Sequence, residues 1–316
     1  MQEKKFLIFG PVRSRRLGRS LGIELVPKKI CSMDCIYCEV GKTTNRTIKR
    51  NKYYSWDLIE ASIYQAKEME DIFDVITFTG SGEPTLNIYF EKAIELSKKI
   101  IKKPVAVLTN SSLLFIPSIN SSLKMVDILL PSLDAARFKT FKKINQPHPK
   151  IKLQEIIENL RTLRKEMKGE MWLEILFVKE VNDSKEDLEA LKIAVEYINP
   201  HKIQLNTVVR PPAYKGVEPI SFEKLEEIAR FLGKNAEVIL SKEKFKKSLR
   251  KFKDVEEETL EKKFLNYLQR RPTTLKELSL VFEIDETLTR SILDKLISQN
   301  LIKKEKYQKE IFYLAK

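Results

Sequence analysis

Between residues 21 and 207, short apolar runs of strand length alternate with stretches whose apolar residues recur every three or four positions. Leu21-Gly-Ile-Glu-Leu-Val26 alternates and stops at Pro27, which reads as a first strand. Further strands are expected at 74–78, 105–109, 127–130, 171–178 and 202–207. Helices are expected at about 55–70, 88–102, 151–167 and 184–197. The first of these opens on Ser55-Trp-Asp-Leu-Ile-Glu, a serine with acidic residues in the following turn. Six strands, each followed by a helix or a return loop, predict a parallel sheet with right-handed crossovers.

The flanks differ. Residues 6–20 start with the apolar run Phe6-Leu-Ile-Phe9 and turn at Gly10-Pro11. Arg13, Arg15, Arg16 and Arg19 then predict a loop whose guanidinium groups face something anionic. After Pro219, residues 221–233 and 241–253 read as basic helices, a bridge rather than barrel. Residues 256–269, 274–282 and 285–299 read as helices, and 301–305 and 310–314 as strands, the order of a winged helix-turn-helix. The expected organisation is an α/β domain over 1–220, a basic helical linker over 221–255 and the winged helix-turn-helix over 256–316.

The chain's three cysteines all lie in Cys31-Ser-Met-Asp-Cys35-Ile-Tyr-Cys38. Three sulfurs cannot pair off internally, so this spacing points to metal ligands rather than to a disulfide. Zinc would want a fourth ligand, and His148 and His201, the two histidines, stand more than a hundred residues away. An iron–sulfur cubane fits better, because three cysteines hold three irons and leave the fourth open. Both histidines sit beside prolines and read as structural.

At 42% hydrophobic, 316 residues can bury a large core over about two domains, and no segment approaches the roughly 20 apolar residues of a membrane span. The N-terminus has no secretory h-region, and oxygen-sensitive thiolates favour a reducing compartment, so the expected location is the cytoplasm. The net charge of +14 is concentrated: residues 1–55 carry +9 and residues 242–253 carry +6. Such patches are the footprint of a polyanion or simply a solvated surface.

The C-x3-C-x-aromatic-C loop after a first strand resembles the signature of the radical S-adenosylmethionine (SAM) superfamily. A second match, Thr79-Gly-Ser-Gly-Glu-Pro-Thr85, resembles the Gly-Gly-Glu segment with which these enzymes hold SAM's methionine end. Gly10-Pro-Val-Arg-Ser-Arg-Arg-Leu-Gly-Arg-Ser-Leu-Gly22 and Leu205-Asn-Thr-Val-Val-Arg-Pro-Pro212 resemble the iron–sulfur oxidoreductase group related to the wyosine-base synthases of tRNA. The likeness covers about residues 6–215. It implies a partial (β/α)6 TIM-type barrel, with its site at the C-terminal ends of the strands.

It also implies roles. Cys31, Cys35 and Cys38 would hold a [4Fe–4S] cluster whose open iron chelates SAM; reductive cleavage then yields a 5′-deoxyadenosyl radical that abstracts hydrogen from substrate. Glu83 matches the carboxylate paired with the methionine ammonium, and Gly80, Ser81 and Gly82 let the backbone approach the ligand. Tyr37 matches the aromatic residue beside the adenine, and Asn110, Ser132 and Asp134 are candidates for ribose and methionine contacts. Arg15, Arg16, Asn206 and Arg210 are the substrate-side candidates.

Expected partners are a reductase or a flavodoxin- or ferredoxin-type electron donor, and a tRNA substrate. The alternative is a peptide, protein or small metabolite, with the winged helix as docking module for protein or nucleic acid. An iron–sulfur transcription regulator is the third reading. Residues 256–316 carry 12 Lys/Arg against 11 Asp/Glu, a poor balance for DNA, although Arg290 and Lys295 could reach phosphates. Two departures from the wyosine-type pattern stand out: Arg13 replaces a proline, and no cysteines remain for the second cluster expected of archaeal wyosine synthases.

Overall fold

The computed structural model describes residues 6–14, 16–239, 257–282, 284–308 and 310–316. β1 (Ile8–Ser14) and β2 (Gly18–Glu24) pair antiparallel. The loop after β2 carries the cysteines and holds a two-residue parallel pair, β3 (Ile30–Cys31) with β4 (Asn45–Arg46). Helices and strands then alternate: α1 (Trp56–Glu68), β5 (Val75–Thr79), α2 (Phe90–Ile100), β6 (Val105–Thr109), α3 (Pro117–Leu123) and β7 (Ile128–Pro131). α4 (Phe138–Asn145) and α5 (Leu153–Glu166) precede β8 (Glu170–Phe177), α6 (Lys185–Ile198), β9 (Lys202–Thr207), α7 (Phe222–Leu232) and β10 (Ala236–Val238). The sheet order is β1-β2-β5-β6-β7-β8-β9-β10, parallel from β2 onward. Its end strands do not pair with one another, so the barrel is open.

Capping sets several helix starts. The hydroxyls of Ser55, Ser184 and Ser221 accept from the backbone N–H groups of Leu58, Asp187 and Lys224. The strands sort their side chains by alternation. Leu21, Ile23, Ile76, Phe78, Val105 and Val107 enter the large core together with buried residues of the helices. The opposite face is mixed. Val75, Ala106, Leu130 and Trp172 form a small apolar cluster, while Ser20, Thr77, Thr79, Glu174 and Asn206 line a cavity. Parallel strands usually carry apolar residues on both faces; here the inner face is polar because it surrounds space.

Two sequence expectations change. The arginine-rich segment is not a free loop: it forms β1 and the turn into β2, with the Phe9 ring lying where a Cβ on Gly22 would stand. Arg19 pairs with Asp74 at 2.7 Å on the surface. The expected linker begins with barrel, since α7 buries Leu225, Ile228 and Leu232 and β10 pairs with β9. The short, half-polar run Ala236-Glu-Val238 carries no strand signal until a neighbouring edge receives it. The basic helix expected at 241–253 lies outside the described residues.

The C-terminal unit comprises α8 (Glu257–Leu268), β11 (Thr273–Thr274), α9 (Leu275–Phe282), α10 (Glu286–Ser298), β12 (Ile302–Tyr307) and β13 (Glu310–Ala315). Its three strands form an antiparallel sheet in the order β11-β13-β12. Leu260, Phe264, Leu278, Ile292, Leu293 and Tyr313 share its own core, against which Val12 of β1 also packs. The unit docks on the barrel mouth through ion pairs. The Arg210 guanidinium, only 7% exposed, reaches Glu39 at 2.9 Å and Glu277 of α9 at 2.6 Å. Arg270 reaches Glu24 at 3.2 Å and lies over the Phe9 ring at 4.3 Å. Burial alone would lower the pKa of Arg210, yet the two carboxylates raise it, so the guanidinium stays charged.

Two outcomes follow for stability. Phe78→Ala, in the fully buried core, should cost about 3–5 kcal/mol in denaturant unfolding. Arg210→Met should cost about 3 kcal/mol, the low end for a broken buried pair, because Glu39 is 38% exposed and partly solvated. Hydrogen exchange should locate that loss at the junction of α9 and the cysteine loop, with β5 to β7 unaffected.

Candidate active site

The cysteine loop has little regular structure of its own, and the barrel rim holds it. Backbone N–H groups of Asp34 and Ile36 donate to the carbonyls of Asn145 and Ile144 at 3.1 and 2.9 Å. Tyr214 Oη donates to Asp34 at 2.6 Å, and the His148 N–H donates to the Ser32 carbonyl at 2.9 Å. Ser32 and Ser112 share a hydroxyl hydrogen bond of 2.5 Å. Further along, Arg50 binds Glu91 and the carbonyls of Thr85 and Asn87, which ties the loop to the segment after β5.

Asp134 joins these parts. Its buried carboxylate accepts from Tyr37 Oη at 2.5 Å, Asn145 Nδ2 at 2.6 Å and the Leu176 N–H at 2.9 Å. Burial raises its pKa to about 6 against those three donors. A residue expected at the ribose or methionine therefore has its carboxylate committed to positioning the loop. Tyr37 commits its hydroxyl in the same bond, and its ring lines the cavity.

The segment after β5 lies against the loop. A Cβ on Gly82 would stand 2.1 Å from the Ile30 carbonyl oxygen, so only glycine fits there. The Lys29 N–H donates to the Ser81 carbonyl, and the Glu83 N–H donates to the Ile30 carbonyl. The buried Glu83 carboxylate accepts from Thr85 N and Oγ1, Thr109 Oγ1 and the Asn110 N–H, and burial raises its pKa. Oε1 takes three of those donors and Oε2 only one, so Oε2 keeps the spare acceptor capacity. Gly80 and Ser81 line the cavity, whereas Ser132 does not, and its N–H donates to the Thr109 carbonyl.

Each cysteine sulfur receives a side-chain N–H: Cys31 from Asn110 Nδ2 at 3.3 Å, Cys35 from Asn145 Nδ2 at 3.4 Å, and Cys38 from Lys29 Nζ at 3.3 Å. Burial and the nearby Glu83 push the Cys31 thiol up to about 12, and burial with Asp134 pushes Cys35 well above its ordinary value. Thiols in such surroundings ionise only beside a strong positive charge, which the irons of a cluster would supply. Among the described residues no three His, Cys, Asp or Glu side chains surround a single ion-sized point. Ligands to three different irons do not need to, because each thiolate meets its own iron. The donor set fits a cluster.

The cavity of about 370 Å³ adjoins Cys38 and the Gly80–Ser81 backbone. Arg16 and Asn206 meet there on one carboxylate, Glu174, at 2.7 and 3.4 Å. Arg210 lies at its edge with its charge taken up by Glu39 and Glu277; Arg15 lies outside the described residues. Tyr267, Arg270 and Arg271 of the C-terminal unit supply another wall. Lys29, Glu24, Asn145, Glu174 and Arg270 were missed by sequence reasoning. Glu24 and Glu174 did carry a signal, since each interrupts an otherwise apolar run, residues 21–26 and 171–178. Both histidines serve backbone: His201 Nδ1 accepts from the Met171 N–H, and His148 Nδ1 accepts from the Lys150 N–H.

No helix among the described residues is long and apolar enough to cross a membrane. The chain is 35% identical over 302 residues to a Brachyspira hyodysenteriae protein named GTPase Obg, covering 94% of this chain and 43% of that protein. The chain thus spans less than half the length of that relative. It is 32% identical over 313 residues to a UPF0026 protein of Methanocaldococcus jannaschii, covering 98% of this chain and 95% of that one. The solved structure of TYW1 with a lysine–pyruvate adduct bound is similar in fold, with a TM-score of 0.53 and 18% identity over 71% of this chain and 75% of that one. The radical SAM superfamily model matches residues 25–192. On that match, and with its three cysteines gathered at the mouth of an open parallel barrel, the chain belongs to the radical SAM superfamily, whose enzymes use a [4Fe–4S] cluster and SAM.

Proposed function

We propose that Cys31, Cys35 and Cys38 hold a [4Fe–4S] cluster, and that the enzyme abstracts hydrogen from a small polar substrate seated between barrel and C-terminal unit. When bound, cluster and SAM together supply one-electron cleavage of the S–C5′ bond and a 5′-deoxyadenosyl radical. The chain's own residues do the rest. Glu83 Oε2 would take the methionine ammonium, the Gly80–Ser81 backbone would hold the ligand's methionine end, and the Tyr37 ring would flank the adenine. Leu108 and Leu176 exclude water beside it. Arg16, Glu174 and Asn206 orient the substrate's charged and hydrogen-bonding groups from the barrel side, and Arg270 does so from the C-terminal side.

One observation carries the small-substrate reading. The C-terminal unit, which we read as a winged helix-turn-helix, covers the barrel mouth through the buried Arg210 and the half-buried Arg270 and leaves a space of metabolite size. A second reading, a tRNA substrate, is favoured by a groove of about 520 Å³ that runs between the cysteine loop and the C-terminal unit. Lys28, Lys215 and Lys303 line that groove. Phosphate contacts there would make binding fall steeply with salt. A flavodoxin- or ferredoxin-type protein is the proposed electron donor, and the cytoplasm the proposed location.

Anaerobically reconstituted protein, given SAM and a strong reductant, should release 5′-deoxyadenosine by mass spectrometry, and Cys35→Ala should release none. Equal amounts from both proteins would overturn the assignment of the cysteines. Total tRNA that raises the yield at low salt and not at high salt would favour the second reading; a small-molecule extract that raises it at both would favour the first.

A further inference from the structure

The three sulfur hydrogen bonds come from three separate parts of the chain. Lys29 lies in the loop after β2, Asn110 follows β6, and Asn145 ends α4. The amides are held in orientation. Asn110 Nδ2 divides its two hydrogens between Cys31 Sγ and Ser32 Oγ, while its Oδ1 accepts from the Ser112 N–H. Asn145 Nδ2 divides its hydrogens between Cys35 Sγ and Asp134 Oδ2, and turning that amide over would set two oxygens against each other.

Lys29 is the least ordinary of the three. It is buried, 6% exposed, at a backbone φ of 64°, a left-handed conformation in which glycine or asparagine would be less strained. Its N–H and carbonyl are both engaged, with Ser81 and with Thr44 and Asn45, so the backbone conformation is needed there. The lysine side chain is not needed for it. Among the described residues its ammonium pairs with no carboxylate, and Cys38 Sγ at 3.3 Å is its partner. A buried cation in a strained position, aimed at a metal-ligating sulfur, is maintained against two costs.

We infer that Lys29, Asn110 and Asn145 are positioning residues that raise the reduction potential of the cluster, Lys29 most of all. The inference rests on the cluster assignment above. Reduction adds one negative charge to the cluster and its thiolates. A cation and two amide N–H donors at the sulfurs stabilise that added charge and so favour the reduced state. Lys29 adds its full charge to its hydrogen bond, whereas each asparagine adds a dipole.

The test is an EPR-monitored redox titration of reconstituted protein without SAM, with iron and sulfide counted in every sample. Lys29→Met should shift the one-electron equilibrium toward the oxidised cluster by roughly tenfold, about 59 mV lower in potential. Lys29→Gly relieves the backbone strain and should show the same fall without loss of stability. Lys29→Arg keeps charge and donor and should stay close to wild type. An unshifted potential in cluster-loaded Lys29→Met, or an equal fall in Lys29→Arg, would overturn the inference. If Lys29→Met fails to load, Asn145→Leu carries the test: a smaller fall supports the inference and an unchanged potential overturns it. Wild-type protein that binds no iron would instead overturn the cluster assignment.

Discussion

A buried carboxylate holds the site in register. Asp134 follows β7 and draws together Tyr37 from the cysteine loop, Asn145 from the end of α4 and the Leu176 N–H of β8. Asn145 in turn donates to Cys35, so barrel wall, helix end and cysteine loop meet within two bonds of one carboxylate. Burial raises its pKa to about 6 against those donors. Beyond the short β3–β4 pair and its turns, the loop is held to the rim through this group and through Ser32, Asp34 and Arg50.

The barrel was legible in the sequence because its signals are local. Alternation at Leu21 to Val26, the Ser55 and Ser184 caps, and glycines beside a conspicuous glutamate all act within a few residues of chain. β10 and the β1 edge were not legible, because a short half-polar strand exists only where a neighbouring edge receives it. The site divides the same way. The cysteine cluster stands out by spacing and Gly82 by the resemblance of its segment, and the 2.1 Å approach to the Ile30 carbonyl explains why residue 82 is glycine. The bonds of Asp134 to Tyr37 and Asn145 were not legible, because a strand-end aspartate looks alike in sequence whether it faces a ligand or a tyrosine hydroxyl. Lys29, Asn145 and Arg270 were invisible because their meaning lies in partners 9, 110 and 246 residues away.

Charge is placed unevenly across the molecule. Much of the surface basicity is ordinary, but Arg16, Arg210 and Arg270 are each drawn inward onto carboxylates at the barrel mouth. Two of these pairs cross to the C-terminal unit, and Glu24 links Arg270 to the Ser81 N–H beside the proposed SAM site. One glutamate therefore joins the C-terminal unit to the Gly80–Ser81 segment.

The central claim is that the three cysteines leave one iron open to SAM. EPR of the reduced, reconstituted protein with and without SAM tests it most directly. Direct chelation predicts a clear change in the cluster's g-values on adding SAM, lost in Gly82→Ala, where a Cβ would push the segment off Ile30. An unchanged spectrum at saturating SAM, from protein with its full iron content, would contradict the account.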